Sequence, residues 1–142
     1  FIRKLLEIGK LNEANKFLKR NWSIEGFVEY GKQLGKKIGF PTCNIDINDY
    51  VIAMPGVYAV KIYQKNKKSN LKGIANLGYR PTFKQKKILL EVHIFNFSGN
   101  LYNKHLSVEF VKFIRKEKKF KNVDQLRRQI RLDLKTAKKT LI

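Results

Sequence analysis

The sequence predicts a mainly β domain: a closed antiparallel barrel with one helix packed on it and short helices at its start. Three observations carry that expectation. Five runs rich in β-branched and aromatic residues follow one another between Ser23 and Arg115, separated by Gly, Asn, Ser and Pro and by no helical pattern. Strands in such succession favour closure, because a closed sheet has no exposed edge. After Asn122 the apolar residues change to spacings of three and four, the mark of an amphipathic helix. Finally, 142 residues with 43% apolar content make one domain with room for a core, and intrinsic disorder does not fit.

In chain order, Phe1 to Arg20 places Ile2, Leu5, Leu6 and Ile8, then Leu11, Ala14, Phe17 and Leu18, at helical spacing interrupted by Gly9. Two short helices follow, with Asn12 the expected cap of the second. The strand runs are SIEGFVEY, GVYAVKIYQ, LKGIANLG, KILLEVHIFNF and HLSVEFVKFIR. In the fourth, Ile88, Leu90, Val92 and Ile94 form an apolar face, and Leu89, Glu91, His93 and Phe95 a mixed one. The lysine-rich YQKNKKSNLK suits an exposed hairpin loop. Asn122 is the expected N-cap of the last helix, which carries Val123, Leu126, Ile130, Leu134, Ala137 and Leu141 along one face.

The net charge of +20 favours anionic partners: nucleic acid, an acidic membrane surface or a phosphorylated small molecule. The excess is almost all lysine and is accompanied by much Asn and Ile, which AT-rich coding would also produce. A single cysteine, Cys43, excludes an intrachain disulfide and suits a reducing cytoplasm. No apolar run approaches the roughly 18 residues of a membrane span. The chain opens on Phe1 and not Met, so it is expected to be a piece of something longer.

Some motifs fall away at once. GFVEYGKQ resembles a phosphate-binding P-loop, but Gln33 replaces its final Ser or Thr and the segment lies in an expected strand. One cysteine and two histidines, His93 and His105, do not make a closed zinc site, and both histidines suit ordinary strand positions. No nucleophile elbow supports serine-type catalysis.

GFPTCN, Gly39 to Asn44, is more informative. Pro41 stiffens the backbone and keeps Phe40 extended, so Thr42 and Asn44 point to one side of an extended chain. A hydroxyl and an amide carbonyl are hard oxygen donors suited to Mg2+ that is shared with substrate phosphates. A turn in which Thr and Asn bond their own backbone explains the same residues. Between Val51 and Lys116 the only carboxylates are Glu91 and Glu109, each amid apolar strand neighbours. Either is a candidate base for activating a hydroxyl, and either could be a paired or solvent-facing strand residue.

GKKIGFPTCNIDI, PGVYAVKI, GIANLGYRPTF, LLEVHIFNFSGNLYNKHLSVEFVKFIRKEKKF and the closing amphipathic helix, in this order, resemble the riboflavin kinase module of the bacterial bifunctional riboflavin kinase/FAD synthetase family. The likeness runs from about Trp22 to the C-terminus. It implies a kinase domain over 21–142, and a helical linker over 1–20 left from an upstream FMN adenylyltransferase module, whose own activity would be absent. It also implies a six-stranded Greek-key barrel that uses ATP and Mg2+ or another divalent cation to convert riboflavin to FMN. By the same resemblance Thr42 and Asn44 contact the metal and phosphates, and Glu91 is the base on the ribityl hydroxyl. Gly31, Gly35, Lys37, Gly39, Phe40 and Pro41 lie near ATP, and Arg115, Glu117 and Phe120 near the flavin.

Three departures from the family pattern stand out. Cys43 replaces an alanine and is expected to expose a thiol near the metal; Gln33 replaces a glycine; and Asn96, Ser98 and Asn100 stand where aspartates are common. The rival readings are a basic nucleic-acid-binding barrel and a non-catalytic flavin-binding module. The kinase reading expects small-molecule partners only, without nucleic acid or membrane.

Overall fold

The computed structural model describes residues 1–29, 40–47, 53–65, 67, 69–81, 86–97 and 99–141. Among the described residues two helices, α1 (Ile2–Glu7) and α2 (Leu11–Leu18), precede six strands: β1 (Trp22–Glu29), β2 (Cys43–Asp46), β3 (Gly56–Gln64), β4 (Asn70–Pro81), β5 (Lys86–Ile94) and β6 (His105–Lys116). The helix α3 (Val123–Thr140) closes the described chain.

All strand pairs are antiparallel, and the sheet closes in the order β1-β2-β5-β4-β3-β6. Strands β3, β4 and β5 are consecutive neighbours, and β6 returns beside β3, which is the Greek-key arrangement. The interior is filled by alternate residues of every strand, among them Ile45, Tyr58, Val60, Leu77, Leu90, Val92, Val108 and Phe110. Register shifts between Val57 and Tyr58 and between Ala59 and Val60, against β6, supply local bending that closure requires. Gly56 belongs there because a Cβ would collide with the Arg115 carbonyl. The expected lysine-rich loop is shorter than read: Tyr63 pairs with Asn70, so its ends are strand.

The N-terminal helices pack on the barrel, and Leu5, Leu6, Leu11 and Ala14 share its core. Gly9, at φ +81°, ends α1: Lys10 N–H donates to Leu5 O at 2.8 Å and Gly9 N–H to Leu6 O at 3.3 Å, the Schellman pattern. The cap of α2 is Lys10 and not Asn12, and it makes no side-chain cap bond. Leu11, 2% exposed, draws the helix start forward, leaving Asn12 within the first turn. Asn15 ties α2 to the sheet, donating to Phe110 O at 2.9 Å and accepting from Trp22 N at 2.8 Å.

Helix α3 is capped as expected, with Asn122 Oδ1 accepting from Gln125 N at 2.9 Å. Its Ala137 and Leu141 join Val57, Ala59 and Ile74 in a second apolar cluster on the outside of the barrel. The same helix face holds a charge: Asp133 is 2% exposed and accepts from Arg115 Nε at 3.0 Å on both oxygens and from Arg115 Nη2 at 2.8 Å. Gln129 Nε2 donates to it at 3.0 Å. This pair fastens α3 to β6.

Cys43 does not present the expected exposed thiol. It pairs with Val92 and packs half-buried against the core. Thr42 and Asn44 flank it in sequence, and in an extended chain the residue between them points the other way. Burial pushes its thiol from 9.0 up to about 11.

Two outcomes follow from this packing. Asp133→Ala leaves the Arg115 guanidinium without its partner and should lower stability by about 3–5 kcal/mol in urea unfolding, whereas a loss under about 1 kcal/mol would mean the pair behaves as an exposed one. Cys43 should alkylate about 100-fold more slowly at pH 8 than a thiol titrating at 9.0, because only the thiolate reacts. Since its folded value is the higher, the associated stability is complete below pH 9 and is lost as pH rises towards 11. Labelling at the rate of an unfolded control would contradict the buried placement.

Candidate functional site

Barrel register determines which distant residues become neighbours. Glu29 opposes Asn44, Asn44 opposes Glu91, and Glu91 opposes Asn76. Asn76 in turn opposes Val57, and Val57 opposes Arg115. These six residues form one belt around the barrel in strand order. Their chain neighbours Val28, Ile45, Leu90, Ala75, Leu77 and Tyr58 lie in the interior, so by alternation the belt faces outward.

The belt has two halves. Val57 and Arg115 lie under α3, one in its apolar cluster and the other bonded to Asp133. Glu29, Asn44, Glu91 and Asn76 are polar and lie beyond that cover, the first three half-buried and Asn76 exposed. Directly opposed side chains in an antiparallel pair have Cβ atoms about 4.5–5.5 Å apart, so Asn44 and Glu91 can act on one small ligand. Thr42 is exposed and immediately precedes β2; an extended backbone at that residue puts its side chain on the side of Asn44.

The two scarce carboxylates stand in different surroundings. Glu109 opposes Ser23 on one side and Lys61 on the other, and its Oε2 accepts from Asn21 Nδ2 at 3.3 Å. It joins the α2–β1 connection to the barrel wall. Glu91 stands instead between two asparagines at the centre of the open half-belt.

Phe40 and Pro41 lead into β2 and lie against His93 of β5: the His93 and Phe40 ring centroids are 6.0 Å apart, and His93 Nδ1 is 2.7 Å from Pro41 O. Gly31, Gly35, Lys37 and Gly39 fall outside the described residues. Arg115, Glu117 and Phe120 lie together where β6 passes into α3. The Arg115 guanidinium carbon is 5.8 Å from the Phe120 ring centroid. Glu117 reaches over β4, where a Cβ on Gly78 would lie 2.6 Å from its Oε1. Gly78 is two residues from Asn76, so Glu117 borders the open half-belt. Asn100 stands where the family pattern has an acid, and its Oδ1 accepts from Tyr102 N at 2.8 Å, a turn-forming use.

From sequence Asn76 carries no assigned role, and His93 reads as an ordinary strand residue. An asparagine amid Ala75 and Leu77, in a strand that otherwise favours packing residues, was the available signal for the first. The His93 contact depends on strand pairing and left no local trace.

The riboflavin kinase (flavokinase) family model matches residues 18–141. The bifunctional riboflavin kinase/FMN adenylyltransferase of Haemophilus influenzae is 44% identical over 137 residues, covering 96% of this chain and 44% of that protein. The enzyme of the same description from Bacillus subtilis is 37% identical over 141 residues, again covering 96% of this chain and 44% of its own length. The chain thus spans less than half the length of these relatives. A solved structure described as a macrolide-efflux protein from Streptococcus pneumoniae superposes with a TM-score of 0.85 at 33% identity, covering 93% of this chain and 43% of that one. Among the described residues here, no helix is long and apolar enough to cross a membrane. The closed barrel and a family match over most of its length agree, and the chain belongs to the riboflavin kinase family as a kinase domain.

Proposed function

We propose that this domain transfers the γ-phosphoryl group of ATP to the 5′-hydroxyl of riboflavin at the open half of the belt, giving FMN and ADP. The observation that carries the assignment is the direct opposition of Asn44 and Glu91 on neighbouring strands, both facing outward. Thr42 Oγ1 and the Asn44 side-chain carbonyl are hard oxygen donors that fit Mg2+, and they would hold it. When bound, the ion neutralises charge on the transferring phosphate.

The protein's own groups do the rest. Glu91 accepts the proton of the ribityl hydroxyl as the hydroxyl oxygen bonds to the γ-phosphorus. The bond from that phosphorus to the β–γ bridging oxygen breaks, and ADP leaves with the electron pair. Such a reaction depends mainly on positioning and charge neutralisation, so a rigid β2–β5 pair suits it. Phe40 and Pro41, with Gly31, Gly35, Lys37 and Gly39 before them, are assigned to the nucleotide. Phe120 and Glu117 are assigned to the flavin. Arg115 serves that side by holding Phe120, since its guanidinium is committed to Asp133.

The same reading treats residues 1–20 as a linker and 21–142 as the kinase domain. In a longer protein it would be joined to an FMN adenylyltransferase module, as the names of the relatives suggest. It places the protein in the cytoplasm, with riboflavin and ATP as partners in place of nucleic acid or membrane. Family membership disfavours the nucleic-acid-binding barrel.

Incubation of the purified chain with riboflavin, ATP and Mg2+, followed by chromatography of the flavins, should give FMN that disappears with a chelator. Absence of FMN would contradict the assignment. Glu91→Gln and Asn44→Ala should each lower turnover at least about tenfold while leaving the unfolding midpoint near that of the parent. Near-parent turnover in both would remove these residues from the site.

A further inference from the structure

His93 lies on β5 two residues beyond Glu91, on the same outward face. Its Nδ1 is 2.7 Å from the carbonyl oxygen of Pro41. A carbonyl can only accept, so Nδ1 carries the proton and donates. The ring is also held by edge contacts: Phe40 lies 6.0 Å away at 82° and Phe95 6.2 Å away at 61°. Lys138 Nζ of α3 sits 5.4 Å from the centroid of Phe95 and braces the far side of this aromatic group.

The attachment occurs where the ladder stops. Pairing of β2 with β5 begins at Cys43 and Val92, and the preceding Pro41 has no N–H to contribute. His93 thereby extends the hold of β5 on this segment by two residues. The peptide unit is planar, so fixing the Pro41 carbonyl also fixes the nitrogen and Cα of Thr42. A strand residue that looked purely structural thus controls the backbone of a residue assigned to the metal and phosphates.

We propose that His93 is a positioning residue of the phosphoryl-transfer centre, donating from Nδ1 to Pro41 O to set Thr42 and Asn44 against Glu91. The inference rests on the functional reading given above and deepens it. It does not need His93 to touch substrate or to change its charge during turnover.

The test compares His93→Phe, which keeps a ring and removes the donor, with His93→Asn, whose amide nitrogen can stand near the place of Nδ1. Steady-state kinetics would vary ATP and riboflavin separately at fixed Mg2+, and amide hydrogen exchange would be followed at Thr42, Cys43 and Asn44. In His93→Phe the KM for ATP should rise about tenfold while that for riboflavin stays within about twofold, since the nucleotide side is what loses its placement. Exchange at Thr42 and Cys43 should become faster, and His93→Asn should restore both readouts most of the way. Unchanged exchange in His93→Phe would overturn the inference whatever the turnover. Equal losses in the two variants would also overturn it, because packing of the ring and not the donated bond would then be responsible. If the unsubstituted chain makes no FMN, the functional reading fails first and the positioning role falls with it. That result is distinguishable, because the exchange measurement on the same samples reports separately whether the bond holds the segment.

Discussion

Everything proposed for this domain depends on the register of β2 against β5. A strand turns alternate side chains to alternate faces, so a slip of one residue would bury Asn44 and expose Ile45. Ile45, 2% exposed, with Leu90 and Val92 beside it, makes that slip costly, and the apolar interior therefore enforces the polar arrangement outside. Closure of the barrel removes the remaining freedom. With β1 on one side of β2 and β5 on the other, the short strand Cys43–Asp46 is held along both edges.

The second constraint is the attachment of α3. Its apolar contacts cover Val57, Ala59 and Ile74 and set how far the helix extends over the outer wall. The Arg115–Asp133 pair fixes the passage from β6 to the helix, where Phe120 lies against Arg115 and Glu117 reaches over β4 beside Asn76. A buried ion pair contributes little net stability, but breaking it leaves a charge uncompensated, which opposes any displacement of α3 from β6.

Much of the fold was legible because periodicity is local. The alternation Ile88, Leu90, Val92 and Ile94 identified the inward face of β5, and the three-and-four spacing after Asn122 gave the helix with its cap. Alternation likewise argues against an exposed Cys43 between Thr42 and Asn44. Asp133 left a trace: it stands on the helix face of Ile130 and Ala137, where a lone carboxylate implies a partner. By contrast, the opposition of Asn44 and Glu91, the pairing of Glu109 with Ser23 and Lys61 and the His93 tether are non-local contacts. They arise only when strands far apart in sequence pair, and no short pattern encodes them.

On this reading the outward β2–β5 register builds the nucleotide and metal centre. Paramagnetic broadening of backbone amide signals by Mn2+ added with ATP tests it directly. The strongest broadening is expected at Thr42, Cys43, Asn44 and Glu91, with α3 beyond Leu132 little affected. Broadening centred instead on the exposed lysines of α3, Lys135, Lys138 and Lys139, would contradict it.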